Sequence, residues 1–390
     1  MKYLFVNPDA PVNKDVPNIG LAYAATHFGV KVVDFNTKLL PKDRFLSFEA
    51  DVLGVSVKSL TFNESKRIAE LYKKKYPDAK VKSISGFLDV QCCYPYVNFE
   101  DRIEYKEEFS DKYPFPKYEL FDSFEMFLEK WQSGEWQYPI MSSQGCPYQC
   151  IYCMSRNRKW YARGAENCYE EVKHALDKYK IRKFQIVDDC FNLDKKRVLE
   201  FCRLVKPLKV GWQCTNGLRA DRFDEDVAKA MVGSGCMNIS FGVESSDSNV
   251  LAGIKKGETF EQIEKAVDVA KKYFKHVNGF FIIGLPGSTY KKDLKSVEWM
   301  VKKKIFGHFS YYIPFDKEMQ YDKNFFGEPL SEEYSKEKQR RVYELTSSFN
   351  SSVGRGVFRR VLDRLRLVWM FDRKNLVGHL VDGVRLLGKL

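Results

Sequence analysis

The sequence predicts an α/β protein built from a doubly wound, Rossmann-type N-terminal domain, a partial (βα)6 barrel and a helical C-terminal extension. Three observations carry this prediction. Short apolar runs alternate with helical patterns over residues 1–90. The same alternation resumes with greater regularity over residues 138–315. Residues 316–390 then return to mixed, charged sequence that ends in a basic, leucine-rich tail. Strands separated by helices imply parallel sheets, and right-handed crossovers joining consecutive parallel strands curl a sheet toward a barrel.

In order, the N-terminal elements are the strand KYLFVNP, a helix near Ile19 to Phe28, the strands KVVDF and DVLGVSV, a helix from about Asn63 to Tyr76, and the strand KVKSISG. Residues 91–137 break the pattern with aromatic, charged and proline residues and read as a connector holding one helix, Ser123 to Gln132. The barrel strands are YPIMSS, KFQIVDD, VGWQCTN, MNISFGV, VNGFFIIG and HFSYYIP, with amphipathic helices between them. Thr259-Phe-Glu-Gln262 fits a capping box, and Asp224 precedes the helical run EDVAKAM.

A chain of 390 residues with 44% hydrophobic content can bury a large core. No window approaches the roughly twenty apolar residues of a membrane span, and MKYLFVNPDAP lacks the segments of a secretory signal, so a cytoplasmic location is expected. In that compartment the ten cysteines remain thiols, and clustered ones suit metal ligation better than disulfides. Cys190, Cys202, Cys214 and Cys236 sit singly in apolar runs and read as core, whereas the adjacent Cys92 and Cys93 are ambiguous. The formal charge of +12 favours an anionic partner, such as nucleic acid, a membrane surface or an acidic substrate. Much of that excess lies after Gly354 and so describes the tail.

Chemistry concentrates after the first barrel strand. SSQGCPYQCIYCMSRN spaces Cys146, Cys150 and Cys153 as C-x3-C-x2-C in one loop at a strand C-terminal end, where sheets of this kind bind ligands. A cubane cluster normally takes four cysteines, so three leave one iron open, and an open position is what makes a metal site catalytic. A zinc site with a distant fourth ligand is the competing reading, although none of the five histidines lies close in sequence. The second strand ends in Asp188-Asp189, a costly pairing unless it meets a cation. Only one of two adjacent strand residues can point to a given face. The third strand ends in Thr215-Asn216-Gly217 with Arg219 following, the fourth in Gly242-Val243-Glu244-Ser245, and the fifth carries Gly279 and Gly284 ahead of a Pro286-Gly287 turn.

The cysteine loop, with Tyr152 before its last cysteine, resembles the signature of the radical S-adenosylmethionine (SAM) superfamily, and the supporting matches run through residues 138–315. The resemblance implies a [4Fe-4S] cluster on Cys146, Cys150 and Cys153. Its unique iron would chelate the amino and carboxylate groups of SAM, and one electron from a reductant such as flavodoxin or ferredoxin would break the S–C5′ bond to give a 5′-deoxyadenosyl radical. It further implies Tyr152 near the adenine, Asp188 or Asp189 receiving the SAM ammonium, and Glu244 hydrogen-bonding SAM. Thr215 and Asn216 would contact SAM or substrate, and Gly279 and Gly284 would let backbone approach the adenine. Catalysis by such a site is cofactor chemistry, with protein groups holding SAM and excluding solvent.

VNP, the NIGLAYAA helix, the GVSV strand end and SISG resemble the cobalamin-binding domain that precedes the barrel in a large subfamily of methyltransferases and carbon-skeleton enzymes. Ser56 and Gly86 are the expected cobalamin contacts. There are departures: D-x-H-x-x-G is absent, Ser85-Gly86 replaces the usual paired glycine, no acidic turn follows, and the domain is short. Three readings therefore stand. One is a cobalamin-dependent methyltransferase or related enzyme. Another is a cobalamin-independent radical SAM dehydrogenase, epimerase or cyclase. The third is a zinc-binding structural or nucleic-acid-binding protein, which the charge permits without any recognised motif.

The tail reads as an arginine-rich amphipathic helix from near Val357, with Phe358, Leu362, Leu365 and Trp369 able to share a face. It would either pack on the barrel or lie on an anionic membrane, which would suit a lipid-linked substrate. A membrane role predicts that the chain floats with anionic vesicles at low salt; recovery of all the protein in the pellet excludes it.

Overall fold

A computed structural model describes residues 1–9, 17–36, 41–57, 61–84, 103, 109–153, 155–312 and 335–352. The tail helix, Cys92, Cys93 and Gly86 lie outside these residues. Among the described helices, none is long and apolar enough to cross a membrane. The described residues fall into two compact units, one made of residues 1–147, 157–214 and 233–236, the other of 148–156, 215–232 and 237 onward.

The first unit opens with β1 (Tyr3–Asn7), α1 (Ile19–Phe28), β2 (Val32–Asp34), β3 (Val52–Ser56), α2 (Phe62–Lys75) and β4 (Lys80–Ile84). The strands pair in parallel in the order β2-β1-β3-β4. This order reverses direction beside β1, as a doubly wound sheet does. Local chemistry sets the ends of α1: the Asn18 side chain accepts from the Leu21 amide, and Gly29 closes the helix in the left-handed region. Leu4, Val6, Val33, Leu53, Val55, Ile68, Tyr72 and Val81 form one core beneath this sheet.

Next come α3 (Phe124–Ser133), β5 (Tyr138–Ile140), the short antiparallel pair β6 (Ser143–Gln144) and β7 (Tyr161–Ala162), α4 (Ala165–Tyr179), β8 (Lys183–Ile186), α5 (Lys195–Val205) and β9 (Gly211–Cys214). β5, β8 and β9 form a parallel three-stranded sheet. The β6–β7 pair has no forerunner in the sequence reading, because two-residue strands carry no periodicity. The connector helix appears one residue from its expected position.

The second unit holds α6 (Glu225–Gly233), β10 (Ile239–Glu244), α7 (Ser248–Gly253), α8 (Phe260–Tyr273), β11 (Val277–Ile283), α9 (Tyr290–Lys303), β12 (Phe306–Tyr311) and α10 (Lys336–Ser352). Its sheet is parallel, β10-β11-β12. The expected capping box is present, with Thr259 and Gln262 bonding each other's backbone, and Asp224 caps α6. The crossover from β10 to β11, expected as one helix, divides into α7 and α8, and the turn between them carries Lys256, Gly257 and Glu258. All six expected strands occur in order. Their ladders form two parallel sheets of three, the first ending at β9 and the second beginning at β10.

Gly54 lies opposite Phe5 across the β1–β3 pair, and a Cβ there would come within 2.6 Å of the Phe5 ring. Gly54→Ala is therefore expected to lower unfolding stability by about 1–3 kcal/mol, read by denaturant titration, because the buried ring has nowhere to go.

Candidate active site

The cysteine loop is built tightly. Gly145 has φ +83°, and a Cβ there would sit 2.2 Å from the Lys159 carbonyl oxygen, so only glycine suits the position. Within the first unit, the Arg158 amide donates to the Cys146 carbonyl at 2.9 Å. Within the second, the Cys153 amide donates to the Cys150 carbonyl at 3.1 Å, and the Ile151 amide to the Ile254 carbonyl at 3.1 Å. None of the three is in a disulfide; Cys150 is buried, Cys146 and Cys153 are half-buried. No three His, Cys, Asp or Glu side chains are gathered as a metal site among the described residues. What fits a cluster is the donor chemistry: three cysteines outside any disulfide, within eight consecutive residues of a loop shaped by a mandatory glycine. Cys190, Cys202, Cys214 and Cys236 are buried, as expected of core cysteines.

Asp188 and Asp189 separate in role. Asp188 is buried, and its carboxylate accepts from the Ser142 amide at 2.6 Å, the Ser142 hydroxyl at 2.5 Å and the Ser143 hydroxyl at 2.6 Å. The Arg197 guanidinium stands 3.7 Å away. Burial nevertheless pushes the Asp188 carboxyl above the ordinary range, with Arg197 and the serines opposing. Asp188 thus clamps the chain entering the cysteine loop. Asp189 is half-buried and accepts from the Gly145 amide at 3.0 Å, on the edge where the loop begins.

In the second unit, Glu244 ends β10 with φ +62° at an irregularity in the β10–β11 register. A non-glycine residue in this region is strained, and such strain collects at functional sites. Its buried carboxyl is raised by burial, opposed by the Lys256 ammonium and by hydrogen bonding with the Tyr152 hydroxyl. Tyr152 bonds both Glu244 and Cys150, so its phenol is directed at the glutamate and the cluster loop. Thr215 is half-buried and Asn216 exposed, just past β9. Arg219 is a strut: it donates to Asp221 at 2.8 Å and to the carbonyls of Lys256 at 3.2 Å and Gly257 at 3.0 Å, while its guanidinium stacks 3.3 Å from the Tyr148 ring centre. Gly279 lies within β11 and Gly284 just past its end. A Cβ on Gly279 would meet Phe281 at 2.8 Å. Gly284, at φ +76°, donates its amide to the buried Asp293 at 2.9 Å.

At the C-terminal edge of the N-terminal sheet, Ser56 is buried and accepts from the Asn18 amide group at 3.0 Å; Asn18 also donates to Asn7 at 3.0 Å, and Asn7 to Asp34 at 2.8 Å. These four close on one another, and none carries an imidazole that could ligate cobalt. The sequence reading missed Asn7, Asn18 and Asp34 here, and Lys256 and Glu258 in the second unit. A strand ending in Asn or Asp is the signal for the first group; the second group has none short of the fold.

Comparison with known proteins places residues 140–300 in a match to the radical SAM superfamily. A 198-residue stretch, 49% of this chain, is 32% identical to 42% of an uncharacterised methyltransferase of Pyrococcus horikoshii. A 185-residue stretch is 30% identical to 35% of the cytidylyl-2-hydroxyethylphosphonate methyltransferase of Streptomyces wedmorensis. The matched stretches thus span less than half the length of these relatives. Among solved structures, the radical S-adenosylmethionine methyltransferase TsrM of Kitasatospora setae, with tryptophan and a SAM analogue bound, superposes with a TM-score of 0.64 at 16% identity, over 80% of this chain and 72% of its own. OxsB, described as a cobalamin-dependent SAM radical enzyme, superposes with a TM-score of 0.60 at 14% identity, over 90% of this chain and 56% of its own. At these identities the likeness concerns the fold.

Because Asp188 is paired and buried, Asp188→Ala strands Arg197 and two serines and is expected to cost about 3–5 kcal/mol of unfolding free energy. Asp189→Ala, which removes the partly exposed hydrogen bond from the Gly145 amide, is expected to cost less, about 1 kcal/mol. Equal losses in denaturant titration would contradict this division of labour.

Proposed function

We propose, from the match of residues 140–300 to the radical SAM superfamily, that this chain reductively cleaves SAM and uses the resulting radical for methyl transfer or carbon-skeleton modification. The observation that carries the reading is the cysteine loop. Cys146, Cys150 and Cys153, none of them in a disulfide, follow β5 in one loop whose entry is shaped by Gly145 and clamped by Asp188. They would hold a [4Fe-4S] cluster, which supplies, when bound, the electron for cleavage and an open iron for SAM.

Every other task falls to side chains. Asp189 receives the SAM ammonium, since Asp188 already has its full set of donors. Glu244 accepts hydrogen bonds from SAM, and Tyr152 lines the space between that carboxyl and the loop. Thr215 and Asn216 face SAM or substrate from the β9 end. On this reading the six strands of residues 138–315 make a partial (βα)6 barrel, preceded by the cobalamin-binding-like domain 1–90 and the connector 91–137, and followed by the extension 316–390. A one-electron protein such as flavodoxin or ferredoxin serves as reductant.

The methyltransferase branch draws support from the methyltransferases that match nearly half of the chain and from the fold likeness to TsrM and OxsB. A second reading, cobalamin-independent dehydrogenation, epimerisation or cyclisation, is favoured by one observation: the edge polar groups of the N-terminal sheet satisfy one another.

Anaerobic reconstitution with iron and sulfide is expected to give a brown protein with about four irons, lost on Cys150→Ala. Hydroxocobalamin retained through gel filtration would support the methyltransferase branch, and its loss the second reading. A colourless protein binding only zinc would overturn both.

A further inference from the structure

The turn between α7 and α8 carries a charge arrangement that the cluster chemistry does not account for. Lys256 is buried, with its ammonium 3.4 Å from Glu244 Oε1 and 3.2 Å from Glu258 Oε2. Burial works against that ammonium, yet the two carboxylates outweigh it and raise its pKa above that of an ordinary lysine. The two carboxylates are held differently. Glu258 is fixed by backbone, accepting the amides of Ala220 at 2.5 Å and Asp221 at 3.2 Å through its other oxygen. Glu244 is held by side chains, Lys256 and Tyr152. The Glu244–Lys256 pair lies directly over the β10 backbone: a Cβ on Gly242 would come within 2.7 Å of Glu244 Oε1 and 2.8 Å of Lys256 Nζ.

The Arg219 guanidinium, 3.9 Å from Glu258 Oε1, adds a second positive charge to the group. Glu258 Oε1 takes both amides, whereas its buried Oε2 makes no hydrogen bond and has the Lys256 ammonium 3.2 Å away as its ionic partner. Glu244, whose backbone is strained into the left-handed region, depends on the side chains of Lys256 and Tyr152 for its orientation. The backbone of Lys256 performs a second task, since its carbonyl lies 3.8 Å from Cys150 Sγ and accepts from Arg219 at 3.2 Å. The same residue thus touches the middle cysteine through its backbone and the SAM-facing glutamate through its side chain.

We infer that Lys256 is a positioning residue: its ammonium, anchored by Glu258, orients the Glu244 carboxylate toward SAM and ties that orientation to the cluster loop. The inference rests on the reading that Glu244 contacts SAM. It differs from a packing role, because it requires the charge of residue 256 as well as its volume.

The test uses the full chain, reconstituted anaerobically, with three readouts: SAM dissociation constant by equilibrium dialysis, iron content, and the SAM-induced change in the electron paramagnetic resonance of the reduced cluster. Lys256→Met is expected to keep its iron and melt cooperatively, while SAM binding weakens about tenfold or more and the spectral change is lost. Lys256→Arg is expected to restore affinity to within about threefold of the parent, because it returns the charge. Glu244→Gln should weaken binding similarly, and the double variant should be no worse than either single one.

Unchanged SAM binding in Lys256→Met, alongside weakened binding in Glu244→Gln, overturns the inference and leaves the reading of Glu244 intact. Unchanged binding in Glu244→Gln overturns that reading instead. Loss of iron together with SAM binding in Lys256→Met assigns the lysine to the loop's structure and also overturns the inference. If Lys256→Met fails to melt cooperatively, Lys256→Gln replaces it under the same criteria, and failure of both to fold makes Lys256 a folding element and ends the proposal.

Discussion

A carboxylate taken out of water must find donors, and this structure is organised around meeting that demand at the ends of its strands. Glu171 is met by Arg163, Asp188 by Ser142, Ser143 and Arg197, one oxygen of Glu258 by two amides with Lys256 as ionic partner of the other, and Asp293 by the Gly284 amide and the Ser288 hydroxyl. Each of these pairings ties a strand end or its following turn to another element. Leaving any such charge unmatched costs a sizeable fraction of the marginal stability of a domain. The loops where chemistry would occur are consequently held in part by charge and hydrogen bonds.

This constraint explains why carboxylates of the same kind take different work. Of Asp188 and Asp189, the first is consumed in the clamp and the second lies at the start of the cysteine loop. Of Glu244 and Glu258, the second is anchored to backbone, whereas the first depends on side chains and sits in a strained conformation. The arrangement resembles a preorganised site, in which the groups facing a ligand are held by others that do not face it. It also separates the N-terminal sheet, whose edge asparagines, aspartate and serine satisfy one another.

Most elements were legible in the sequence because periodicity reports burial directly. α1 falls at its predicted bounds, the Thr259–Gln262 box forms, and every predicted strand is present. Where prediction fell short, the signal was too short or too distant. The β6–β7 pair spans two residues per strand, and the division of the β10–β11 crossover into α7 and α8 depends on how the Lys256–Glu258 turn packs. The contact of Gly279 with Phe281 and the bond from the Gly284 amide to Asp293 likewise carry no signal in sequence spacing.

By itself the sequence determined the alternation of strands and helices, the three-cysteine loop and the order of polar strand ends, since these follow from local spacing and residue chemistry. Tertiary structure alone decided which polar group is already satisfied and which is left to meet a ligand. The partners concerned lie far along the chain: Ser142 is 46 residues from Asp188, and Ala220 is 38 from Glu258. A hydrogen bond between such residues exists only once the intervening helices have folded back on their sheets.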